Sequence, residues 1–532
     1  MKITRHLGAL VLLLVVNLMI TSCATAPAGL KRITSRADKE IVGLALGDLL
    51  LLALENPNSG KSAYALGHFV ERWKLEKNNA VTGILIAARD GQSAISYHVT
   101  FDNPGHRGFS LEYFDEIAPV ADYSISKLPD YKRDGVGAPL MALRENRGQY
   151  PIEHYYPPEA ITAAVTAVMQ PGKLNGRSRQ VKISLLCPLR IDTVLLKGKS
   201  QPLAADFSVP WAAFLARGAE LNGTKIFDLL RSKPKRDPQL YLMQPYDPQK
   251  IPLLMIHGLI STPLVWAKMS NELWADDEIR SKYQIWHYLY NTSAPALYSG
   301  RILQQQLHEV RQLLDPEQDD PAMQSMTLVA HSMGGIVSRR LTTEPGDVFW
   351  SAALTRPIDQ LKLSASDRGT LKKAFFWKAE KQIDRVIFIA VPHRGSNVAD
   401  NWIGKIGKAL VKPPRPFTAF YARVSSANPG AFTPQYEQLG KGELDSVHAL
   451  SPNQPTLKIL SSLPDRYHVD THSIIGNSGK VGPLEKSSDG VVSYWSSHLA
   501  QSQSEAMVPI QHSEVNHPEV VKELKRILKL RD

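Results

Sequence analysis

The sequence predicts an α/β protein in which a mostly parallel sheet has helices on both faces, preceded by a helical hairpin and a β-rich accessory domain. Between residues 252 and 391, short apolar runs such as PLLMI, MTLVA and RVIFIAV alternate with segments of helical periodicity. Strands that are apolar throughout are typical of parallel sheets covered on both sides. Upstream, residues 39–55 and 62–77 carry apolar residues at helical spacing around the turn sequence NPNSG, which predicts the hairpin.

The region from about residue 80 to 206 has a different pattern. Short runs rich in β-formers, such as VTGILIAA, ISYHVTF and QVKISLLC, are separated by clusters of Gly, Asn, Asp and Pro. These runs predict the β-rich accessory domain. It contains no metal-ligand spacing or phosphate loop, so the sequence assigns it no chemical role.

Length and composition predict two folded units. The chain has 532 residues, of which 43% are apolar and 21% charged, and a single core stops growing well below that length. The composition changes at QPYDPQKIP, which predicts an N-terminal region over 39–244 and a catalytic domain over 245–532. The net charge of +11 is spread without a dense basic run, so we expect no nucleic-acid partner.

The first 22 residues resemble an export signal. Lys2 and Arg5 precede an apolar run that is too short to cross a bilayer comfortably, and the sequence ITSC follows. ITSC resembles the lipobox of bacterial lipoproteins, which implies cleavage before Cys23, acylation of that residue and a tether over 23–38. Because Ala24 follows, we expect an outer-membrane lipoprotein of the bacterial cell envelope. The alternative is an uncleaved anchor with an incidental cysteine.

Cysteine content limits the covalent and metal chemistry of the chain. Cys187 is the only other cysteine, so an acylated Cys23 leaves no partner for an intramolecular disulfide. A cysteine-rich zinc site is excluded for the same reason. Cys187 lies in the apolar run KISLLCPL, where we expect a buried thiol.

The segment MTLVAHSMGGIVSRRL carries the strongest chemical signal. An apolar strand ends at Ala330, and a helical pattern begins directly after the glycines that follow Ser332. This arrangement resembles the nucleophile elbow of α/β-hydrolases, with Ala330 in place of the first glycine, as in some bacterial lipases that carry AHSMG. The resemblance implies that Ser332 is a nucleophile. An ordinary turn is the alternative.

The same resemblance implies two backbone donors for an oxyanion. One is the N–H of Met333, directly after the serine. The other lies in LLMIHGLIST, where His257, Gly258 and Leu259 resemble the oxyanion loop of lipases and assign the second donor to the N–H of Leu259. A simple turn at the end of a strand is the alternative.

The acid and the base follow from the family order of serine, acid and histidine. Asp489, in KSSDGVVSYWSS, fits the acid best, with Asp465 and Asp470 as weaker substitutes. His512 stands several residues before the last predicted helix, where the family has its catalytic histidine. His517 is the alternative base, although its place at the helix start favours a structural role.

Two other histidines lie close to these motifs. His393, in VPHRGS, resembles the PHRG segment near the active site of related lipases and esterases, but it precedes the acid and so breaks the triad order. We expect a structural role for it, and a packing role at the elbow for His331. The resemblance covers roughly residues 245–532 and points to the lipase and esterase branch, including hydrolases related to the deacylases of glycosylphosphatidylinositol anchors.

Together these motifs imply hydrolysis of acyl esters, including lipid esters, through an acyl-enzyme and without a metal or organic cofactor. A non-catalytic envelope lipoprotein that uses the fold as a binding or scaffold module is the rival interpretation. A peptidase or an acyltransferase on the same fold is a further alternative.

The segment NWIGKIGKALVK, residues 401–412, has an amphipathic pattern. Ile406 and Leu410 share one side with Trp402, while Lys405 and Lys408 lie on the other. The pattern predicts either a mobile, membrane-facing cover over the active site or an ordinary surface helix packed on the sheet.

Overall fold

The computed structural model describes residues 29–33, 40–56, 59–89, 91–104, 110–222, 237–396, 415–438, 450–480 and 482–530. The predicted signal segment, Cys23 and the amphipathic segment 401–412 lie outside the described residues. The described chain forms two compact units. The N-terminal unit comprises Ala26–Thr224 with Ser270–Ser281, and the C-terminal unit comprises Lys225–Met269 with Lys282–Asp532.

The N-terminal unit contains the predicted helical hairpin. Helix α1 spans Leu46–Glu55 and helix α2 spans Gly60–Glu76. The Ser59 side chain accepts a hydrogen bond from the N–H of Ser62, which satisfies one free donor at the start of α2. The apolar faces of the helices are buried, most completely at Leu49, Leu50, Phe69 and Trp73. A further α-helix of this unit, α3, spans Val209–Asn222.

A six-stranded sheet forms the β-rich part of this unit, with the order β2-β3-β9-β8-β7-β4. Neighbouring strands in this sheet are antiparallel, except that β3 and β9 are parallel. Three short pairs accompany it: β1 with β5, β6 with β12, and β10 with β11. The strands are β1 Lys31–Arg32, β2 Thr82–Ala87, β3 Ile95–Asp102, β4 Glu116–Pro119, β5 Tyr123–Ser124, β6 Lys132–Arg133, β7 Ala138–Arg144, β8 Ile161–Asn175, β9 Ser178–Leu186, β10 Thr193–Leu196, β11 Lys199–Pro202 and β12 Ala205–Asp206.

A seven-stranded sheet organises the C-terminal unit, with the order β13-β15-β14-β16-β17-β18-β19. All neighbours are parallel except β13, which is antiparallel to β15. The continuous apolar runs predicted this arrangement, since every residue of β16 is buried and all but the first of β14. The strands are β13 Gln239–Leu242, β14 Ile251–Ile256, β15 Tyr283–Leu289, β16 Met326–His331, β17 Ile383–Ile389, β18 Asp470–Gly476 and β19 Ser504–Val508.

The parallel strands alternate with helices, which lie on both sides of the sheet. The described α-helices from residue 267 onwards are α4 Ala267–Ala275 and α5 Asp277–Lys282, most of which belong to the N-terminal unit, and then α6 Ala296–Leu314, α7 Met333–Thr342, α8 Val348–Ala353, α9 Ala365–Phe375, α10 Arg415–Ala427, α11 Pro434–Gln438, α12 Pro455–Ser462, α13 Tyr494–Ser497 and α14 Pro518–Leu528. Within the described parts of the chain, no helix combines the length and the apolar character that a bilayer crossing requires.

Two features differ from the predicted division at residue 245. Strand β13 precedes QPYDPQKIP and pairs with β15, so the C-terminal unit includes residues before that proline-containing segment. Residues 270–281 belong to the N-terminal unit. There the Oγ of Ser208 donates to the amide oxygen of Asn271, and the amide nitrogen of Asn271 donates to the carbonyl of Pro129.

The parallel order of the sheet determines where the predicted site residues lie. Since parallel strands all end at the same edge, the loops after β14, β16, β18 and β19 meet there. These loops carry His257, Ser332, Asp489 and His512, in that order.

Candidate active site

Ser332 sits in a strained turn between β16 and α7. Its backbone has φ 52° and ψ −126°, a conformation that non-glycine residues rarely adopt. The N–H of Ser332 donates to the carbonyl of Ile389 on β17 at 3.0 Å, and α7 begins at the next residue. The strand on one side and the helix on the other therefore hold the serine in a conformation that it would not adopt alone.

Gly334 explains why the turn needs small residues. A Cβ at this position would lie 2.4 Å from the carbonyl oxygen of Ile256 and 2.6 Å from that of His257. Both obstacles are backbone atoms of β14 and its following loop, so they cannot rotate away. The absence of a side chain lets α7 start directly against the loop that carries the predicted oxyanion donor.

This close approach gives a prediction about stability. Gly334→Ala is expected to lower the free energy of unfolding by about 1–3 kcal/mol, because the new methyl group forces the backbones apart. Gly369→Ala is the matched control, since no heavy atom lies within 4 Å of a Cβ there and the residue is inside helix α9. The control is expected to gain about 0.5–1 kcal/mol. Urea unfolding of the full chain measures both, and a Gly334→Ala protein as stable as the wild type would contradict the close approach.

Ser332, His512 and Asp489 form one chain of hydrogen bonds. The Nε2 of His512 lies 2.8 Å from the Oγ of Ser332, and its Nδ1 lies 2.7 Å from the Oδ2 of Asp489. A carboxylate oxygen accepts, so Nδ1 carries the proton that it donates to Asp489. The Nε2 is then free to accept the hydroxyl proton of Ser332. The structure thus brings together three side chains that are up to 180 residues apart in sequence.

Asp489 is fixed from both sides of its carboxylate. Its side chain is 1% exposed, and its Oδ1 accepts the backbone N–H groups of Val491 and Val492 at 2.9 and 2.6 Å. The N–H of His512 donates to the backbone carbonyl of Asp489 at 3.0 Å. These bonds direct Oδ2 at the imidazole and hold the backbones of the two residues together.

The alternative acids have other partners. The Oδ1 of Asp465 accepts from the guanidinium of Arg339 at 2.6 Å. Asp470 is the first residue of β18, at the end of the sheet opposite to Ser332, and accepts from the amide of Gln503. Asp489 is thus the one of the three candidates that contacts His512 in the described structure.

The alternative histidines also lie elsewhere. The Nδ1 of His517 accepts from the N–H of Glu519 at 3.3 Å, so this residue caps helix α14. His393 is buried with its ring edge on Phe388, at 4.6 Å between centroids, and burial holds its pKa well below the usual value. In the PHRGS motif, Arg394 and Ser396 make the contacts with the site region, and the imidazole of His393 does not.

Arg394 and Ser396 connect the PHRGS segment to the loop after Asp489. The guanidinium of Arg394 donates to the carbonyls of Trp495 and His498 at 2.7 and 2.6 Å. The Oγ of Ser396 donates to the carbonyl of Val491 at 2.5 Å. The sequence indicated a role near the site but not this one, because the acceptors are backbone carbonyls about 100 residues further along the chain.

The loop after β14 is held by His257. Burial lowers the pKa of His257 to about 4, so the ring is neutral, and its Nδ1–H donates to the carbonyl of Gly258 at 2.9 Å. The hydroxyl of Tyr290 donates to the carbonyl of His257 at 2.7 Å, and the two rings stack at 4.4 Å. Leu259 lies in this loop and Met333 is the first residue of α7, so the N–H groups of both remain the predicted oxyanion donors.

A buried cluster in the N-terminal unit escaped the sequence analysis. His68, Glu71 and Asp122 place potential metal-ligating atoms within 4.8 Å of one another, although Asp122 is far from the other two in sequence. The guanidinium of Arg32 contacts both carboxylates, at 3.2 and 3.0 Å. Burial alone would lower the pKa of His68, but hydrogen bonds to Asp122 and Glu71 outweigh it and raise the pKa to about 9. Two cations already balance the two carboxylates, so we assign no metal to the cluster.

The sheet order, the strained serine turn and the Ser332–His512–Asp489 chain together give the C-terminal unit the α/β-hydrolase fold. Residues 247–355 match the family model of the PGAP1-like alpha/beta domain, a segment that contains the loop after β14 and the serine turn. No curated protein matches the chain.

Several solved structures resemble the chain at low sequence identity. The mature lipase BlEst2 of Bacillus licheniformis is 16% identical, over 53% of this chain and 94% of its own, with a TM-score of 0.31. Lipase 1 of Pelosinus fermentans is 14% identical, over 53% and 100%, with a TM-score of 0.31. Phospholipase PlaB of Legionella pneumophila is 14% identical, over 53% and 60%, with a TM-score of 0.32.

Proposed function

We propose that the protein is a serine hydrolase that cleaves carboxylic esters through an acyl-enzyme. The observation that carries the proposal is the continuous chain from the Oγ of Ser332 through both ring nitrogens of His512 to Asp489, at 2.8 and 2.7 Å. A serine hydroxyl becomes a nucleophile only when a neighbouring base takes its proton. In this hydrogen-bond chain, His512 is that base and Asp489 is the buried carboxylate that orients it.

The proposed reaction has two halves. In the first, Ser332 attacks the ester carbonyl while His512 takes the hydroxyl proton, and the imidazolium then gives that proton to the leaving alcohol. In the second, His512 takes a proton from water while the water oxygen attacks the acyl-enzyme; the bond between the acyl carbon and Oγ then breaks, the imidazolium returns the proton to the Oγ of Ser332, and the acid leaves. Asp489 stays ionised and stabilises the imidazolium in both halves. The N–H groups of Met333 and Leu259 are the proposed donors to the tetrahedral oxyanion.

A fluorophosphonate probe tests the proposal directly, because it reacts only with an activated serine. We expect labelling of the wild type at Ser332, located by peptide mass spectrometry. A chain that uses the fold only as a binding or scaffold module would remain unlabelled. Release of acid from p-nitrophenyl esters of increasing acyl length then separates ester hydrolysis from peptidase activity and shows the preferred chain length. An acyltransferase would instead pass the acyl group to an added alcohol in preference to water.

We also propose that lipid on Cys23 holds the enzyme at a bacterial envelope membrane, with lipid esters among its substrates. The support is the sequence ITSC after a charged and then apolar start. Two or more acyl chains give stable attachment, whereas one gives only marginal binding. Cys23→Ser is expected to move the protein from the membrane fraction to the soluble fraction or to leave the signal uncleaved. An unmodified Cys23 in the membrane-bound wild type, found by mass spectrometry, would refute the anchor.

A further inference from the structure

His331, the residue before Ser332, makes a contact that packing alone does not require. Its Nε2 lies 2.8 Å from the backbone carbonyl oxygen of His512. A carbonyl only accepts, so Nε2 carries the proton and donates it. The two imidazole rings lie near each other, with 5.1 Å between centroids. The elbow strand therefore holds the backbone of the proposed base, in addition to presenting the nucleophile.

The other ring nitrogen of His331 shows that burying this imidazole costs free energy. Burial, with His512 nearby, lowers the pKa of His331 to about 3, so the ring is neutral and Nδ1 carries no proton. This Nδ1 is buried and has no hydrogen-bond partner among the described residues. It faces Gly258, where a Cβ would lie 2.9 Å from it. An apolar side chain would avoid the unsatisfied nitrogen, so the bond to His512 is the interaction that compensates for it.

His512 is thereby held at both ends of its residue as well as through its ring. Its N–H donates to the carbonyl of Asp489 at 3.0 Å, and its carbonyl accepts from His331. Its ring bonds Asp489 on one side and Ser332 on the other. Because His331 and Ser332 are consecutive, the bonds from His512 to both of them close a small ring. The separation between Nε2 and Oγ is a side of that ring.

We propose that His331 is a positioning residue whose Nε2–H sets the reach of His512 to Ser332. The proposal rests on the proposed serine hydrolase function. His331 is the second residue of the AHSMGG motif, and its proposed role differs from that of Gly334, which is needed for its small size. His331 acts through His512 and does not touch the reacting atoms. Displacement of a catalytic group by about 1 Å can cost a hundredfold in rate, so one hydrogen bond to the base is enough to matter.

Two substitutions separate the donor from the volume of the ring. His331→Met keeps most of the buried volume and removes the donor, and we expect kcat for a short p-nitrophenyl ester to fall by about 10- to 100-fold with KM within about twofold. His331→Gln places an amide N–H near the position of Nε2, and we expect kcat to return to within about threefold of the wild type. Equal losses in both variants, or none in His331→Met, would overturn the proposal.

His472→Met is the matched control. His472 is a buried histidine of β18 in the same sheet, and its Nδ1 lies 2.7 Å from the Oγ of Ser504 instead of near the elbow. We expect a lower melting temperature and an unchanged kcat for this control. If kcat of the control falls as far as that of His331→Met, the effect is one of general destabilisation and the positioning role is refuted.

A second measurement does not depend on turnover. The proton between the Nδ1 of His512 and Asp489 is expected to give a far-downfield proton resonance, assigned by its loss in His512→Ala. We expect His331→Met to weaken or remove this resonance and His331→Gln to keep it. A wild type that resists the fluorophosphonate probe refutes the proposed function but leaves this test intact. An unchanged resonance in His331→Met refutes the positioning role, whatever the enzyme hydrolyses.

Discussion

Ser332→Ala is expected to lower kcat for ester hydrolysis by about three orders of magnitude or more. The substitution removes the only atom that attacks the ester in the proposed reaction, while the bonds that hold the turn remain. In the turn, the N–H of residue 332 still donates to the carbonyl of Ile389. Outside it, His512 still donates to Asp489. KM is expected to change little, because the hydroxyl contributes little to ground-state binding. Initial rates on a short p-nitrophenyl ester and labelling by the fluorophosphonate probe measure the loss.

Ser338→Ala is the matched control for this experiment. Ser338 is a buried serine on the same helix α7, and its Oγ donates to the carbonyl of Gly335 at 2.7 Å. We expect the control to keep wild-type kcat and to be labelled. Retention of more than about a tenth of the activity by Ser332→Ala would eliminate Ser332 as the nucleophile.

The second large effect is expected at the base. His512→Ala is expected to lower kcat by about three orders of magnitude or more, because nothing else in the described site can take the proton of Ser332. His517→Ala is expected to leave kcat within about twofold and to destabilise the fold by about 1 kcal/mol, the typical cost of losing a helix cap. The reason is that the Nδ1 of His517 caps helix α14 and does not contact the triad.

The two histidine variants are close to an ideal pair, since they differ by five positions in sequence and have distinct contacts. Rates and melting temperatures of the same preparations separate the two roles. The expected pattern is lost activity with retained stability for His512→Ala, and the reverse for His517→Ala. The opposite pattern would assign the proton transfer to His517 and reject His512.

Local patterns predicted much of the C-terminal unit. The run MTLVA followed by HSMGG indicates a strand, a tight turn and a helix, because burial and steric space near Ser332 act within a few residues of sequence. The order of the family motifs selected Asp489 and His512, and in the structure His512 contacts both Ser332 and Asp489. The three remaining candidates have other partners that the sequence does not reveal: Asp465 accepts from Arg339, Asp470 accepts from Gln503, and His517 caps helix α14.

Contacts between residues that are far apart in sequence could not be predicted from local patterns. Strand β13 lies before the segment taken as a boundary, and its pairing with β15 depends on the sheet and not on its own four residues. The His68 cluster unites two residues of α2 with Asp122 through tertiary packing alone. The bond from His331 to His512 likewise joins a side chain to a backbone carbonyl, and any residue type can supply a carbonyl.

The order of the strands in the seven-stranded sheet, compared with their order in sequence, bears on when the proposed site can form during synthesis. Strand β19 is the last strand of the sheet in sequence and lies at its edge, and His512 follows it, whereas Ser332 follows a strand in the middle of the order. During synthesis the ribosome releases Ser332 well before His512, which lies 180 residues further along the chain. In the proposed mechanism Ser332 has no proton acceptor until β19 docks on β18 and the segment after it is in place, so the hydrolase is expected to stay inert while it is being synthesised.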